Sequence, residues 1–282
     1  MHLPLRVLIP ALLGLTVAGC DTAPNADLES RSFTVQQTSL PAGDAVAGTQ
    51  QITDLVRRSG PSYVTLVVAE PDSGDTTTTK DGKRGTPITS GSGFVVDGDG
   101  YIMTAAHVAK RSGNTVQARA ANGRVYSGSV IAVEPANDMA LVKLRGFTGK
   151  PVTPGDNQCL AKGNLVYSLG RPHEQADTAR LGEFETMHFG QQVQYAGLAG
   201  FGYPDAMVLR LSTQKGESGG PLFNGSGQLV GMVVSTLYDT NGQPLDLAHA
   251  LPSRTLAGFL CSHMTCQGGW QSLPAAPSCS SG

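Results

Sequence analysis

The segment from Lys215 to Leu222 constrains this chain more than any other, because it sets a serine among glycines. It reads Lys-Gly-Glu-Ser-Gly-Gly-Pro-Leu. A serine hydroxyl is a weak nucleophile at neutral pH, so catalysis needs a base to take its proton and donors to hold the oxyanion that forms. Glycine tolerates a tight turn and leaves room for a substrate, so the backbone N–H groups of Gly216 and Ser218 can form one oxyanion hole. The segment therefore predicts acyl transfer by Ser218.

Two upstream motifs supply the other groups that such a serine needs. His107 follows Thr-Ala-Ala and is the candidate base, and Asp138 begins the apolar run Asp-Met-Ala-Leu-Val and is the candidate orienting group. Taken singly, such a histidine is more often a half-buried structural residue, and an aspartate before an apolar strand is often a turn cap. Together, in this order and with about one barrel of chain on either side, they predict a triad of His107, Asp138 and Ser218.

The order of the three motifs is that of chymotrypsin, and the chain resembles a chymotrypsin-fold serine protease. Within that group it is most similar to the protease domain of HtrA-type enzymes, over about residues 52–260. The similarity includes the strands before His107, the aspartate strand, the entry to the second barrel and the closing helix. These segments are Gly91–Val96, Gly100–Thr104, Asp138–Leu144, Leu169–Pro172 and Ala250–Ser253. Residues 176–204 contain no matching motif.

The resemblance implies an all-β fold of two antiparallel six-stranded β-barrels, with the active site at their seam and a short C-terminal helix. The domain would span residues 51–260, with the first barrel at about 63–150 and the second at about 158–252. The 36 glycines and 17 prolines suit many short strands joined by tight turns. Residues 261–282 are expected to form an irregular tail, too short for the PDZ domain of full-length HtrA proteins.

Local patterns predict three further features near the start of the domain. Gln51–Ser59 is expected to form a short helix ended by Gly60 and Pro61, and Tyr63–Val68 is expected to form the first strand. Residues 70–89 lack an apolar period and predict a long exposed loop. A loop at this place helps to regulate or assemble HtrA-type proteins, and an insertion without function is an equal alternative.

The resemblance also implies where a substrate side chain binds. Ser212, six residues before the candidate nucleophile, would lie at the base of the pocket for the side chain that precedes the cleaved bond. Val234, Ser235 and Thr236 would form the pocket wall and pair with substrate backbone. A neutral serine at the base predicts a preference for uncharged, apolar side chains.

Glu217 departs from the family pattern, because the residue before the serine is usually Asp in trypsin-like enzymes and Asn in HtrA-type enzymes. Trypsin-like enzymes pair this Asp with a freed N-terminus, whereas an acylated Cys20 would offer no free ammonium unless a second cleavage occurs. The alternative is that Glu217 pairs at the surface with a local base such as Lys215.

The N-terminus is typical of a targeting signal. Residues 1–19 are mostly apolar and end in Leu-Thr-Val-Ala-Gly before Cys20, which resembles a bacterial lipobox. An ordinary secretory signal with an incidental cysteine is the alternative. If Cys20 is lipidated, its acyl chains would hold the protein at a membrane of the cell envelope, with the protease domain on the periplasmic or extracellular side. Residues 20–50 are polar and predict a flexible tether.

The other cysteines and the histidines predict disulfides and no metal site. Four cysteines besides Cys20 are an even number, which permits disulfides in an exported chain. Cys261 and Cys266 are near enough to close a small loop, and Cys159 and Cys279 would form the other pair. No two histidines have the i, i+4 spacing of a helical zinc site, and we expect no cofactor. The four histidines in question are His173, His188, His249 and His263.

These observations predict a serine endopeptidase that acts on polypeptides, in particular exported or misfolded proteins. A formal net charge of −2 gives no electrostatic reason to expect a nucleic acid, and no pattern indicates an oligomer. Two alternatives stay open: a catalytically weak, chaperone-like peptide-binding lipoprotein, and a structural envelope lipoprotein without a reactive serine.

Overall fold

The computed structural model describes residues 32–37, 45–70, 77–78 and 84–273. The predicted signal peptide, Cys20, residues 20–31 of the predicted tether and Cys279 lie outside the described residues.

Strands are the main regular structure of the described chain, and four α-helices accompany them. The strands are β1 (Thr34–Gln37), β2 (Tyr63–Ala69), β3 (Thr77–Thr78), β4 (Arg84–Gly85), β5 (Ile88–Val95), β6 (Tyr101–Thr104), β7 (Thr115–Arg119), β8 (Val125–Glu134), β9 (Met139–Leu144), β10 (Leu165–Gly170), β11 (Thr178–Thr186), β12 (Val193–Gln194), β13 (Gly202–Tyr203), β14 (Met207–Arg210), β15 (Pro221–Asn224), β16 (Leu229–Tyr238) and β17 (Pro244–Pro252). The helices are α1 (Ala45–Ser59), α2 (Ala106–Ala109), α3 (Ser253–His263) and α4 (Gly269–Ser272).

The first barrel is closed by six antiparallel strands in the order β2-β5-β6-β9-β8-β7, with β7 paired back to β2. Buried and exposed residues alternate along β7, as expected for a strand of a barrel whose interior is filled by side chains. In β7, Val116 and Ala118 are buried while Thr115 and Gln117 are exposed. This alternation fills the barrel interior with aliphatic side chains and leaves polar ones outside.

The second barrel has the strand order β11-β10-β15-β16-β17-β14, and β14 pairs back to β11. A register shift between Phe184 and Thr186 lets the long β11 serve both neighbours. The prediction of an all-β fold with two six-stranded antiparallel barrels and a short C-terminal helix is confirmed.

The N-terminal region departs from the predicted tether. Strand β1 adds to the outside of the second barrel and pairs in parallel with β11, Thr34 opposite Thr178. Helix α1 begins at Ala45, six residues before the predicted start at Gln51. Tertiary packing stabilises the helix, because its apolar face is buried in the core. The buried residues of that face are Ile52, Leu55 and Val56.

The loop predicted for residues 70–89 contains a short hairpin of β3 and β4, and β5 already begins at Ile88. Ile88 is paired with Ala69 at the end of β2. The last two residues of the predicted loop, Ile88 and Thr89, therefore belong to β5, because they pair with β2.

The C-terminal region is more ordered than predicted. Helix α3 continues to His263, α4 follows, and Trp270 is only 5% exposed. Its indole Nε1–H donates to the carbonyl of Val96 at 3.2 Å, which fixes the segment to the first barrel. A disulfide joins Cys261 and Cys266 in the structure, the pair that their spacing favours. The prediction of an irregular tail from residue 261 is therefore wrong as far as residue 273.

Candidate active site

His107 and Asp138 are brought together in the first barrel. His107 lies in α2, directly after β6, and Asp138 follows a 3-10 turn and precedes β9. Nδ1 of His107 lies 3.0 Å and 2.9 Å from the two carboxylate oxygens of Asp138, and the backbone N–H of His107 donates to Oδ1 at 2.9 Å. Asp138 has no exposed surface, and the His107 side chain is 14% exposed. A buried carboxylate that accepts from Nδ1 holds the imidazole with Nε2 free to take a proton.

Ser218 comes from the second barrel and lines the same cleft as His107. Its hydroxyl donates to the carbonyl of Val234 at 3.1 Å. Among the described residues, no hydrogen bond joins this hydroxyl to the His107 ring. Rotation about the Cα–Cβ bond of Ser218 moves Oγ between staggered positions and so changes its hydrogen-bond partner.

In the turn around Ser218, backbone carbonyl groups accept hydrogen bonds, whereas two backbone N–H groups have no acceptor among the described residues. The carbonyl of Lys215 accepts from the N–H of His173 at 2.8 Å, and the carbonyl of Glu217 accepts from the N–H of Gly220 at 3.0 Å. In a trans peptide the N–H points away from the preceding carbonyl, so the N–H groups of Gly216 and Ser218 face the opposite way. Within the described part of the chain, neither of these N–H groups donates to a protein acceptor.

Gly216 is required by its backbone conformation. Its φ is +99°, and a Cβ at this position would lie 2.5 Å from the carbonyl oxygen of Arg171. Any other residue would be strained and would displace the turn. The glycine two residues before the candidate nucleophile is thus explained by its positive φ and by the lack of room for a Cβ.

Ser92 of β5 fixes the turn from the first barrel. Its hydroxyl donates to the carbonyl of Gly216 at 2.8 Å, and its N–H donates to the carbonyl of Ser218 at 2.9 Å. Ser92 is completely buried. Because it binds the carbonyls of both residues whose N–H groups remain unused, it couples the position of the turn to the barrel that holds His107.

Glu217 is buried beneath the turn, and the predicted surface pairing with Lys215 is wrong. It is 2% exposed, and Arg180 of β11 donates through Nε to its Oε1 at 2.9 Å. The N–H of Gln214 donates to its Oε2 at 2.6 Å. Burial raises the pKa of Glu217, while the bond from Arg180 acts in the opposite direction. The longer glutamate reaches a buried arginine from β11 because its side chain points into the barrel.

The cleft beside Ser218 has a volume of about 630 Å³ and is lined mainly by β16 and by the segment before the turn. Of the predicted pocket residues, Val234, Ser235 and Thr236 line it. Ser212 is not among the lining residues, whereas its neighbour Thr213 is. The hydroxyl of Thr213 lies 2.7 Å from that of Thr236, and this contact turns Thr213 toward the cleft in place of Ser212.

Comparison with known proteins agrees with the fold and the motifs. The family model for the trypsin-like peptidase domain matches residues 91–232, which include His107, Asp138 and Ser218. The chain belongs to the trypsin-like peptidase family.

The relatives of this peptidase are HtrA-type proteases. It is 31% identical to the mitochondrial serine protease HTRA2 of Bos taurus over 216 residues, which cover 74% of this chain and 42% of that protein. It is 31% identical to the putative serine protease HhoA of Synechocystis, covering 61% of this chain and 44% of the relative. A probable periplasmic serine endoprotease, DegP-like, of Brucella suis is 29% identical and is covered to 32% of its length. The chain thus spans less than half the length of these curated relatives.

Solved structures share the fold of this peptidase. The HtrA-type protease AlgW in complex with a decapeptide has a TM-score of 0.60 and 19% identity, covering 73% of this chain and 64% of that one. The same protease with a tripeptide has a TM-score of 0.57 and 20% identity, covering 74% and 62%.

Tyr195 is a site residue of this trypsin-like peptidase that no motif predicted. It lies in the hairpin region between β11 and β14, and its hydroxyl oxygen is 2.8 Å from Oδ2 of Asp138 and 3.1 Å from the carbonyl oxygen of Val234. The hydroxyl has one proton, and the charged carboxylate is the nearer and stronger acceptor for it. Its ring centroid is 4.4 Å from that of His107. Burial, and then the charge of Asp138, raise the pKa of Tyr195, so the hydroxyl keeps its proton and remains a donor.

Metal-ligating side chains are not clustered in the described residues of the peptidase. Over residues 84–273 and the shorter described segments, no group of three or more His, Cys, Asp or Glu side chains is arranged to hold a metal ion. In the same part of the chain, every helix is too short or too polar to cross a bilayer.

Proposed function

We propose that this trypsin-like peptidase is a serine endopeptidase that hydrolyses peptide bonds of exported or misfolded proteins. The observation that carries the proposal is that Ser218 and His107, the latter bonded to Asp138, line one cleft. Beside it, the N–H groups of Gly216 and Ser218 have no protein acceptor in the described part of the chain. A nucleophile, a base with its orienting carboxylate, and oxyanion donors are the parts that acyl transfer requires.

In the proposed reaction, the Ser218 hydroxyl turns from the Val234 carbonyl to Nε2 of His107 and attacks the substrate carbonyl carbon. His107 takes the hydroxyl proton, and Asp138 stabilises the imidazolium that forms. The N–H groups of Gly216 and Ser218 hold the oxyanion of the tetrahedral intermediate. His107 then gives its proton to the leaving amine, and water attacks the acyl-enzyme with His107 as base again.

The proposed substrates are polypeptides. The AlgW structures that share the fold contain a decapeptide and a tripeptide, and the open cleft of this chain is bordered by β16, along which an extended peptide can pair. The named periplasmic relative supports exported proteins as the substrate pool.

A second candidate function is a chaperone-like module that binds peptides without cleaving them. It is favoured by one contact, the hydrogen bond from Ser218 to Val234 in place of His107. Catalytic hydrogen bonds are often long or misaligned before substrate binds and tighten in the complex, so endopeptidase activity is the better supported proposal.

We also propose that the protein is exported and held at a membrane of the cell envelope through lipidated Cys20. The lipobox-like sequence before Cys20 and the periplasmic relative support this location. If the protein from its native cells partitions into the aqueous phase on detergent phase separation, the anchor is refuted.

A fluorophosphonate probe together with an unfolded protein substrate tests the proposed function. We expect the full chain to be labelled and to cleave the substrate, and Ser218→Ala to do neither, because the probe reacts only with an activated serine. Binding of the unfolded protein without labelling would indicate the chaperone-like module. Neither binding nor labelling would indicate a structural lipoprotein.

Replacing Tyr195 by phenylalanine should lower kcat by roughly 10- to 100-fold with little change in KM. The change removes a hydrogen bond to the buried Asp138 carboxylate, and such bonds to charged groups are worth about 1.5–3 kcal/mol. Steady-state kinetics and the pH profile of kcat measure the change, because Tyr195 and His107 both contact the Asp138 carboxylate.

Tyr126→Phe, in the first barrel away from the cleft, is the matched control and should leave kcat and the pH profile unaltered. If Tyr195→Phe and Tyr126→Phe lower the melting temperature equally and Tyr195→Phe keeps the wild-type kcat, Tyr195 contributes only to packing.

A further inference from the structure

A buried polar cluster lies beside the cleft on β16 and β17. His249 stands opposite Ser235 in the strand register. Nδ1 of His249 lies 2.9 Å from the Ser235 hydroxyl and 2.8 Å from the Tyr203 hydroxyl, and the two hydroxyl oxygens are 2.5 Å apart. One ring nitrogen of His249 is therefore held by two hydroxyl groups.

The other ring nitrogen, Nε2, is buried and has no hydrogen-bond partner in the described part of the chain. His249 as a whole is 4% exposed. Buried polar side-chain atoms are nearly always paired, and an unpaired one in a native protein calls for an explanation. A group that arrives with a bound ligand is one such explanation.

The protonation of the cluster decides which ligand group can pair with Nε2. Burial lowers the pKa of His249 to about 4, so the ring is neutral at neutral pH and carries one proton. Burial also raises the pKa of Tyr203, so its hydroxyl keeps a proton to donate. The unprotonated imidazole nitrogen is the strongest acceptor that Tyr203 can reach, which places the lone pair on Nδ1 and the ring proton on Nε2. Nε2–H is then a buried donor that lacks an acceptor.

This donor belongs to a residue that lines the cleft with Ser218 and His107, although Nε2 itself is buried in the ligand-free structure. The Ser218 hydroxyl contacts the carbonyl of Val234, and the next residue along β16 is Ser235, the partner of His249. On its other side the His249 ring packs against Phe189, with ring centroids 4.4 Å apart. A substrate residue whose carbonyl is held at Ser218 has this cluster within reach of its side chain.

We propose that His249 determines specificity by donating a hydrogen bond from Nε2 to a planar oxygen in the side chain that precedes the cleaved bond. The carboxamide of Gln and the carboxylate of Glu provide such an oxygen on a chain long enough to enter the cleft. This inference rests on the proposed endopeptidase function and names its substrate class. It replaces the apolar preference expected from Ser212, which does not line the cleft.

The test compares four peptides that differ only in the residue before the cleaved bond, which is Gln, Glu, Leu or Lys. With the full wild-type chain, kcat/KM for Gln or Glu should exceed that for Leu by about 10-fold or more, because a site built to hydrogen-bond its substrate rejects an analogue without the acceptor. The Gln and Glu peptides show whether the amide or the acid is the better ligand.

Three variants test whether His249 causes the preference for Gln or Glu over Leu. His249→Phe keeps an aromatic ring against Phe189 but removes the donor, and the ratio of Gln or Glu to Leu should fall to about one. His249→Gln, which offers an amide N–H, should restore part of the ratio. His263→Phe, on α3 outside the cleft, is the matched control and should keep the wild-type ratio.

A wild-type chain that cleaves after Leu or Lys at least as fast as after Gln and Glu overturns the proposal, even if the variants fail to fold. An unchanged ratio in His249→Phe also overturns it. Fluorophosphonate labelling separates this failure from that of the proposed function. Labelled Ser218 with no preference for Gln or Glu refutes only the role of His249, and an unlabelled wild-type chain refutes the endopeptidase function with it.

Discussion

Ser218→Ala and His107→Ala should each reduce kcat for peptide hydrolysis on the order of 10⁶-fold, and the double variant should lose no more than either single one. In the proposed mechanism the two residues act as one unit, because the Ser218 hydroxyl is a nucleophile only when His107 takes its proton. Once either is absent, the other contributes nothing further. Cleavage of one peptide by all three variants, measured under single-turnover conditions, checks this expectation.

Asp138→Asn should cost less, about 10⁴-fold in kcat. Both carboxylate oxygens of Asp138 lie near Nδ1 of His107, and an amide N–H in their place would favour the wrong imidazole tautomer. Ser226→Ala, on an exposed turn outside the cleft, is the control and should keep wild-type activity.

If the losses of kcat in Ser218→Ala and His107→Ala multiply in the double variant, the two residues act independently.

The three residues of the proposed triad could be located in the sequence because each lies in a short contiguous motif beside a strand. His107 lies in α2 after β6, Asp138 precedes β9 and Ser218 precedes β15. The identities of neighbouring residues therefore fix the local turn, and the order of the three motifs identifies the two-barrel frame that brings them together. Closure of both barrels followed from the same resemblance.

Tyr195 and His249 could not be predicted in this way, because their partners are distant in sequence. Tyr195 reaches Asp138 across 57 positions, from a segment without a motif. His249 meets Tyr203 across 46 positions, through the register of β17 beside β16 and a hairpin that precedes β14. A lone tyrosine or histidine carries no local signal of such contacts. Only the packing of the region between β11 and β14 reveals them.

The C-terminal end of the domain could not be predicted from local sequence either. Trp270 lies in a stretch rich in Ser, Gly and Pro, a composition that favours irregular chain. Trp270 and Leu273 are nevertheless buried in the core, and the hydrogen-bonded Nε1 of Trp270 ties the stretch to the first barrel. Local composition therefore fails as a predictor where a few apolar side chains pack against a core formed by distant segments.

Glu217→Met should lower the free energy of unfolding by about 3–5 kcal/mol, because it leaves the buried Arg180 guanidinium without its counter-charge. Arg180 and Glu217 are both nearly inaccessible, with side chains 6% and 2% exposed. Arg180 Nη2 already lacks a partner among the described residues, so little else compensates its charge. Urea denaturation of the wild type and the variant measures the loss.

The same substitution should also slow catalysis, by about 10²- to 10³-fold, the usual cost of losing one oxyanion donor. Glu217 lies between the two residues whose N–H groups would hold the oxyanion, and its Oε2 accepts from Gln214 N–H. The double variant Glu217→Met with Arg180→Met separates the two effects. Replacing a buried ion pair by apolar residues of similar volume is often neutral or stabilising, so the double variant should regain stability. The rate should stay low, because methionine offers the Gln214 N–H no acceptor. If stability and rate return together, the pair only stabilises the barrel, and Ser92 alone fixes the turn.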